Sequence, residues 1–296
     1  MAATARPRRS LLYMPGSNAR ALEKGRTLPA DGLILDLEDA VAPDAKAAAR
    51  ARVVGAVAAG GYGRREVIIR TNRLDDAWGT DDLAAAARSG ADAVLLPKIE
   101  GAAQVRRADA LVRDYGAPDT MAIWCMMETP LGILNAAEIA GASPRLAGFV
   151  MGTADLAKDL HAAHTALRLP MLTALGLCLL AGRAYGLVVI DGVHLDLGDD
   201  DGFAASCRQG AELGFDGKSL IHPRQIGPAN DAFAPSEAEL DHSRRIIDAH
   251  AAAIAEGKGV VVVDGTLVET LHVENARRLV ALADAIAATA ADSVGG

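Results

Sequence analysis

The chain of 296 residues is poor in cysteine, in aromatic residues, in long apolar runs and in net positive charge, and each scarcity excludes something. Cysteine occurs three times, at Cys125, Cys178 and Cys207. The three are far apart, odd in number and form no Cys-x-x-Cys pair. That excludes a disulfide framework and a cysteine zinc site, and it points to buried thiols in a reducing, cytoplasmic setting. Aromatic residues are 2 Trp, 4 Tyr and 4 Phe, so the hydrophobic 51% is mostly Ala, Val, Leu and Ile. No apolar run approaches the roughly 18–20 residues of a membrane span. The basic start MAATARPRRS is followed not by a signal-peptide core but by SLLYMP, which Pro15 and Gly16 cut short. Lys plus Arg is 30 against 38 Asp plus Glu, a net charge of −8. This argues against a protein that coats nucleic acid, though an anionic small ligand needs only a few placed cations. Charged residues make up 23% and apolar runs recur throughout, which excludes wholesale disorder.

What the chain does contain is an alternation. Eight short apolar runs, at 10–15, 32–39, 66–72, 93–100, 122–130, 146–155, 186–194 and 215–223, are separated by Ala-rich stretches with helical spacing that end near Gly. Several runs lack polar alternation, as expected of parallel strands covered on both faces. Length allows two ordinary domains or one large barrel. The β-α order with a repeat near 30 residues predicts a parallel sheet, and eight units over about 225 residues predict a closed (β/α)8 TIM barrel. An open doubly wound sheet is the alternative, weakened because no Gly-x-Gly-x-x-Gly opens the first helix. The expected division is a barrel over 1–228 and a C-terminal helical extension over 229–296. In that extension 235–257 reads as one helix, with Ser236 and Glu239 forming a capping box. A short extended piece turning at Asp264-Gly265 and a last helix from about 272 to 290 follow. The extension is surplus to an eightfold barrel and is expected to act as a lid, an interface element or both.

Barrel chemistry gathers at the carboxyl ends of the strands. Those ends carry Asp36, Glu38 and Asp39; Arg70 and Asn72; Lys98 and Glu100; Glu128; Thr153 and Asp155; Asp191 and His194; and Lys218 and His222. Steps of 27–30 residues from Arg70 to Lys98, Glu128 and Asp155 match one β/α unit each. These side chains are therefore expected to ring one mouth. Glu128 and Asp155 follow neighbouring strands about 5 Å apart, close enough to share one ion. Two carboxylates with no Cys or His suit Mg²⁺, which keeps waters and takes further ligands from substrate. The competing reading is a pair of helix N-caps. Arg70 suits a carboxylate or a developing oxyanion, or an ion pair with the acids of the preceding strand, which would orient it. The turn and helix start after the first run place Asn18, Arg20 and Lys24 where amides and cations could meet phosphate.

The segments RSLLYMPGSNARALEKG, ILDLEDAVAPDAKAAAR, RTN, LPKIE, METPLGI, GTADLAKDL and GFDGKSLIHPRQI, in this order, resemble the citrate lyase beta-subunit-like family. It also includes malyl-CoA, β-methylmalyl-CoA and citramalyl-CoA lyases and malyl-CoA thioesterases. The resemblance runs from Arg9 to about Ile226 and resumes at VVVVDGTLVE. It implies a TIM barrel, Mg²⁺, and reversible cleavage of a 3-hydroxyacyl-CoA such as malyl-CoA or citramalyl-CoA into an acyl-CoA and a 2-oxo acid. It also implies a homotrimer or hexamer. The alternatives are a malyl-CoA thioesterase, a carrier-bound citrate lyase subunit and a CoA-independent class II 2-oxo acid aldolase. By resemblance, Glu128 and Asp155 are the magnesium ligands. Arg70 binds substrate, with Glu128, Gly152 and Thr153 beside it, and Asp36, Glu38, Asp39 and Lys98 support it. Asn18, Arg20 and Lys24 meet CoA. Asp264 is an acid/base delivered into a neighbouring subunit's site. Two departures stand out: Thr266-Leu267 replaces the family's Lys-Met after Asp264-Gly265, and His161 follows Leu160 where relatives often carry Gly. His161 and His164 are expected to be helix residues and not ligands.

Overall fold

Eight strands form where the eight apolar runs were read. They are β1 (Ser10–Pro15), β2 (Gly32–Asp36), β3 (Glu66–Arg70), β4 (Ala93–Leu96), β5 (Ala122–Met127), β6 (Leu146–Met151), β7 (Val188–Asp191) and β8 (Gly217–Leu220). The computed structural model describes residues 6–257 and 259–294. All eight strands are parallel, each pairs with the next, and β8 closes on β1 through Ser10 opposite Lys218. The intervening helices are α1 (Ala19–Gly25), α2 (Lys46–Ala59), α3 (Gly79–Ala87), α4 (Ala102–Asp114), α5 (Pro130–Leu134), α6 (Ala136–Ala140), α7 (Thr153–Asp159), α8 (Leu172–Ala184), α9 (Asp200–Leu213) and α10 (Ile226–Ala232). This is the (β/α)8 barrel that the alternation predicts.

The period of two along each strand sorts the side chains into two cores. One set points inward and fills the barrel: Leu11, Ile34, Ile68, Leu95, Trp124, Met126, Val150 and Ile190 among them. The other points outward against the helices, as Leu12, Leu33, Val67, Val94, Ile123, Phe149 and Val189 do. Trp124 is accommodated by a glycine on the next strand, since a Cβ on Gly148 would lie 2.7 Å from its ring. A filled barrel leaves space only above its last inward layer, and that is where the polar strand ends lie. The three cysteines are free and buried, and burial raises each thiol, to about 11 at Cys207 and about 12 at Cys178.

The barrel unit runs from Arg8 to Phe233 and includes α10, whose Asn230 accepts a hydrogen bond from Ser10 Oγ at 2.7 Å and donates one to the Pro29 carbonyl at 2.9 Å. Residues from Ala234 onward belong to a second unit. It contains α11 (Glu237–Ala255), the hairpin β9 (Val261–Val263) and β10 (Thr266–Val268), and α12 (Thr270–Val294). Ser236 and Glu239 form the expected capping box on α11. Asp264 and Gly265 take φ of 51° and 80°, the two consecutive left-handed positions of a two-residue hairpin turn. Ile246, Val263, Val268, Val273 and Ala276 make this unit's own small core. No helix among the described residues is long and apolar enough to cross a membrane.

Candidate active site

Inward parity at the strand ends selects Tyr13, Asp36, Arg70, Glu128 and Ser219, which line one cavity of about 350 Å³ together with Asp155 and apolar residues such as Met126, Val193 and Ile221. Gly152 and Thr153 line it too. Gly152 makes room for Glu128: a Cβ there would lie 2.5 Å from Glu128 Oε2.

Arg70 is held from three sides. Its Nε and Nη2 donate to the two carboxylate oxygens of Asp36 at 2.7 and 2.6 Å, a bidentate fork. Its Nη1 lies 2.8 Å from Glu38 Oε2 and 3.5 Å from Asp39 Oδ2, and its guanidinium lies over the Tyr13 ring, 4.9 Å from the centroid. Asp36 is itself fixed by the amides of Glu38 and Ala40, which donate to it at 2.9 and 3.1 Å. Thus the expected ion pair to strand β2 is real, with Asp36 as its principal partner, and it turns a buried guanidinium toward the cavity. Burial opposes the Arg70 charge, but Asp36, Tyr13 and Glu38 more than offset it, so the guanidinium pKa is raised. Glu38 behaves oppositely. Burial, with Glu128 and Asp39 adding repulsion, pushes its carboxyl up to about 8 against the pull of Arg70.

Glu128 and Asp155 converge on a single cation. The Lys98 ammonium hydrogen-bonds Asp155 and lies 3.4 Å from Glu128 Oε1, while the Lys98 backbone N–H donates to that same oxygen at 2.8 Å. Lys98 takes a left-handed φ of 52° to do this. Burial raises Glu128, opposed by Lys98 and Arg70. Burial also acts to raise Asp155, yet the Lys98 hydrogen bond and charge outweigh it and leave that carboxyl lowered. Lys98 is raised, because Glu128 and Asp155 outweigh the burial that would lower it. Thr129, not Glu128, caps the next helix through its bond from Gly132 N at 3.1 Å, which removes the N-cap reading for Glu128. Asp155 sits in the first turn of α7, whose N-cap position is Gly152 and carries no side-chain cap.

Not every polar strand end reaches this mouth. Asp191 and Lys218 have outward parity and lie between the sheet and α9. The Lys218 ammonium donates to Asp191 Oδ2 at 2.7 Å and to Ser206 Oγ at 2.9 Å, and Arg168 Nη1 donates to Asp191 at 2.7 Å. Asn72 braces the loop after β2 from behind, donating to the Leu37 carbonyl at 2.9 Å and accepting from Lys46 at 2.7 Å. His222 caps a 3-10 turn, and Glu100 is occupied through its backbone, accepting from Asn135. The expectation of one complete ring is thereby corrected. His161 and His164 are not helical: α7 stops at Asp159, and His161 takes φ 54° while Ala162 N donates to Ala157 O at 2.9 Å. That is a Schellman ending, with His161 at the left-handed position where glycine is favoured.

Asn18 caps α1, accepting from Ala21 N at 3.1 Å, and Arg20 and Lys24 are exposed on that helix, one turn apart. Asp264 belongs to the C-terminal unit, where its carboxylate meets His242 Nδ1 at 3.0 Å and Arg245 Nη2 at 3.1 Å. The sequence reading missed Tyr13, whose inward parity two residues after Leu11 was the available signal. It also missed the bracing role of Lys46 and of Asp82, which accepts from the Asn72 backbone and side-chain amides at 3.0 and 2.6 Å, for which the sequence offered no signal.

A parallel barrel with an acid-rich mouth, a clamped arginine and two converging carboxylates at the carboxyl ends of its strands defines the class as a barrel enzyme. The HpcH/HpaI aldolase/citrate lyase family model matches residues 9–223, and the chain belongs to this family. It is 51% identical over 288 residues to a (3S)-malyl-CoA thioesterase of Cereibacter sphaeroides, covering 97% of this chain and 99% of that protein. It is 39% identical over 287 residues to citrate lyase subunit beta of Escherichia coli K12, covering 94% of each. Among solved structures it is similar to the protein CitE of Mycobacterium tuberculosis in complex with magnesium, acetoacetate and coenzyme A. There the TM-score is 0.75 and the identity 31%, over 95% of this chain and 100% of that one.

Proposed function

We propose that this protein is a Mg²⁺-dependent enzyme of the cytoplasm that hydrolyses the thioester of a short 3-hydroxyacyl-CoA of the malyl-CoA type. The observation that carries the choice of hydrolysis is the 51% identity, over nearly the full length of both chains, to a (3S)-malyl-CoA thioesterase. In this reading water adds to the thioester carbonyl carbon, the C–S bond breaks, and the sulfur leaves as the CoA thiol with a proton. The free hydroxy acid remains.

The residues present fit a hard divalent cation. Glu128 and Asp155 already close around one positive charge, the Lys98 ammonium, and both offer oxygen only. Among the described residues no cluster of three or more His, Cys, Asp or Glu competes for a metal, so the remaining ligands would be water and substrate. When bound, Mg²⁺ would supply Lewis-acid polarisation of the substrate oxygens it touches. Arg70, fixed by Asp36, presents positive charge to the acid group or to the oxyanion that develops during reaction. Asn18, Arg20 and Lys24 are assigned to CoA. Asp264 is assigned the proton transfer, in the site of a neighbouring copy within a homotrimer or hexamer.

The second reading is carbon–carbon cleavage, supported by the likeness to citrate lyase subunit beta. There the substrate hydroxyl loses its proton, the C–C electron pair moves to the carbon α to the thioester, and Asp264 protonates the resulting enolate. The products are an acyl-CoA and a 2-oxo acid. Incubating the protein with malyl-CoA and Mg²⁺ separates the two. Free thiol released in step with malate supports hydrolysis, whereas glyoxylate and acetyl-CoA without free thiol overturn it. The Asp264 assignment has its own test. Asp264→Asn should lose about 10²–10⁴-fold in turnover. Mixing it with Glu128→Ala should restore activity once subunits exchange, because some sites then combine an intact Glu128 with a neighbour's intact Asp264. No recovery despite demonstrated exchange would remove Asp264 from the neighbouring site.

A further inference from the structure

Among the described residues, the Lys98 side chain is the cation that Glu128 and Asp155 share. Its ammonium hydrogen-bonds Asp155 and lies 3.4 Å from Glu128 Oε1. Its own backbone amide holds Glu128 in place independently of the side chain. The peptide of Lys98 is thus a fixed anchor, locked in a left-handed conformation, while the four-carbon stem beyond it can swing. Among the described residues, the five acids Asp36, Glu38, Asp39, Glu128 and Asp155 pair with Arg70 and Lys98 in this mouth, and Arg70 is committed to the first three. Lys98 is therefore the cation in contact with both Glu128 and Asp155.

We propose that Lys98 is a built-in placeholder for the divalent cation: its ammonium occupies the space between Glu128 and Asp155 in the metal-free protein and is displaced from it when the metal binds. This rests on the reading of those two carboxylates as metal ligands. Two consequences follow from charge alone. Metal-free protein is spared the repulsion of two unshielded carboxylates in a buried site. In return, the metal must compete with a tethered ammonium, so its affinity is set lower than the two carboxylates alone would give. A lysine whose role is simply to hold the carboxylates in position has the opposite signature, because removing it would loosen the site and weaken the metal.

The test is titration calorimetry of the full-length, metal-stripped protein with Mn²⁺ and with Mg²⁺, for the wild type, Lys98→Met, Lys98→Gln and Glu128→Gln. Both Lys98 variants should bind metal about tenfold tighter or more, the scale expected for removing one competing charge at contact distance. Metal-free Lys98→Met should melt below metal-free wild type, and the gap should close at saturating metal. Equal or weaker binding in the Lys98 variants overturns the placeholder and leaves the metal site standing. Unchanged binding in Glu128→Gln, or none in the wild type, overturns the metal reading and the placeholder with it. Should neither Lys98 variant fold without metal, acylation of wild-type lysines read by peptide mass spectrometry decides. Lys98 should label several-fold faster when Mn²⁺ is added, relative to the exposed Lys158. Unchanged labelling overturns the proposal.

Discussion

Two groups of buried charge lie at the carboxyl ends of the strands, and they differ by a single step of side-chain parity. Asp36, Arg70 and Glu128 point into the barrel, above the last layer of its filled core, and so face the cavity. Asp191 and Lys218 point outward, into the layer between sheet and helices, and meet Ser206 of α9 and the loop residue Arg168. Both groups are charged, buried and at strand ends. In the outward group the charges are turned on one another: Asp191 and Lys218 are fully enclosed and paired, and Asp191 also takes the Arg168 guanidinium. In the inward group negative charge exceeds positive and the surplus faces open space. A surplus of negative charge held at a cavity is what a cation-binding site requires, whereas an enclosed ion-pair cluster with no opening to a cavity fastens elements together.

The sharpest way to break that comparison is to alter one member of each group. Glu128→Ala or Asp155→Ala should abolish metal-dependent turnover, by more than about 10³-fold if the metal supplies several kcal/mol of transition-state stabilisation. The melting temperature should stay near that of the wild type, since these carboxylates sit at the face of a barrel that serves function more than stability. Retained activity in either variant, or full activity in excess chelator, would remove the pair from the site. Asp191→Ala should do the reverse. It leaves the Lys218 ammonium buried beside the Arg168 guanidinium without their counter-charge, at a cost of about 3–5 kcal/mol. At about 2–4 °C per kcal/mol for a domain of this size, the melting temperature should fall by roughly 10 °C. Activity per folded molecule, assayed in the cold, should hold within about twofold. A loss like that of Glu128→Ala would place the outward cluster in the reaction after all.

The same parity explains how much of the fold and the site was legible in the amino-acid sequence. The eight strands were legible because runs buried on both faces are apolar without interruption, and the even spacing of Arg70, Lys98, Glu128 and Asp155 placed them on successive strand ends. Asp191 and Lys218 were misplaced because spacing says which strand a residue ends and not which way its side chain points. Counting in twos from Ile190 would have turned Asp191 outward. The contact between Lys98 and its two carboxylates was out of reach, because it depends on a left-handed backbone at a lysine, which no propensity favours. The short α7 was also hidden, since a helix that ends on His161 in place of glycine carries no written stop signal.

Arg70 joins both kinds of behaviour, being locked like the outward cluster yet facing the cavity, so its substitution should have an intermediate effect. Arg70→Lys keeps the charge but cannot reproduce the fork to Asp36, whose two bonds at 2.7 and 2.6 Å fix its direction. The expected loss in kcat/KM is about 10- to 100-fold, with a smaller loss of stability. Wild-type kcat/KM in a variant whose melting temperature has dropped would make Arg70 a structural partner of strand β2 and nothing more.

The smallest effect expected is also the one that most finely separates a satisfied cluster from a site with surplus charge. Burial raises Glu38 from 4.5 to about 8 in the folded protein. Between those values the folded chain holds a proton on Glu38 that the unfolded chain has released. The stability belonging to this group is therefore complete below about pH 4.5, declines as pH rises, and is lost once pH passes about 8. Glu38→Gln is neutral at every pH and lacks that decline. The difference in unfolding free energy, wild type minus variant, should thus fall steadily across this window, by at most about 1.4 kcal/mol per pH unit, and flatten above it. Denaturant titrations of both proteins at several pH values between 4 and 9 measure it, with Mg²⁺ omitted so that only the chain's own charges act. A flat difference would mean that Glu38 ionises like an ordinary surface carboxylate and that Arg70 neutralises it fully. The inward cluster would then carry one more negative charge at neutral pH, and the contrast with Asp191 and Lys218 would widen accordingly.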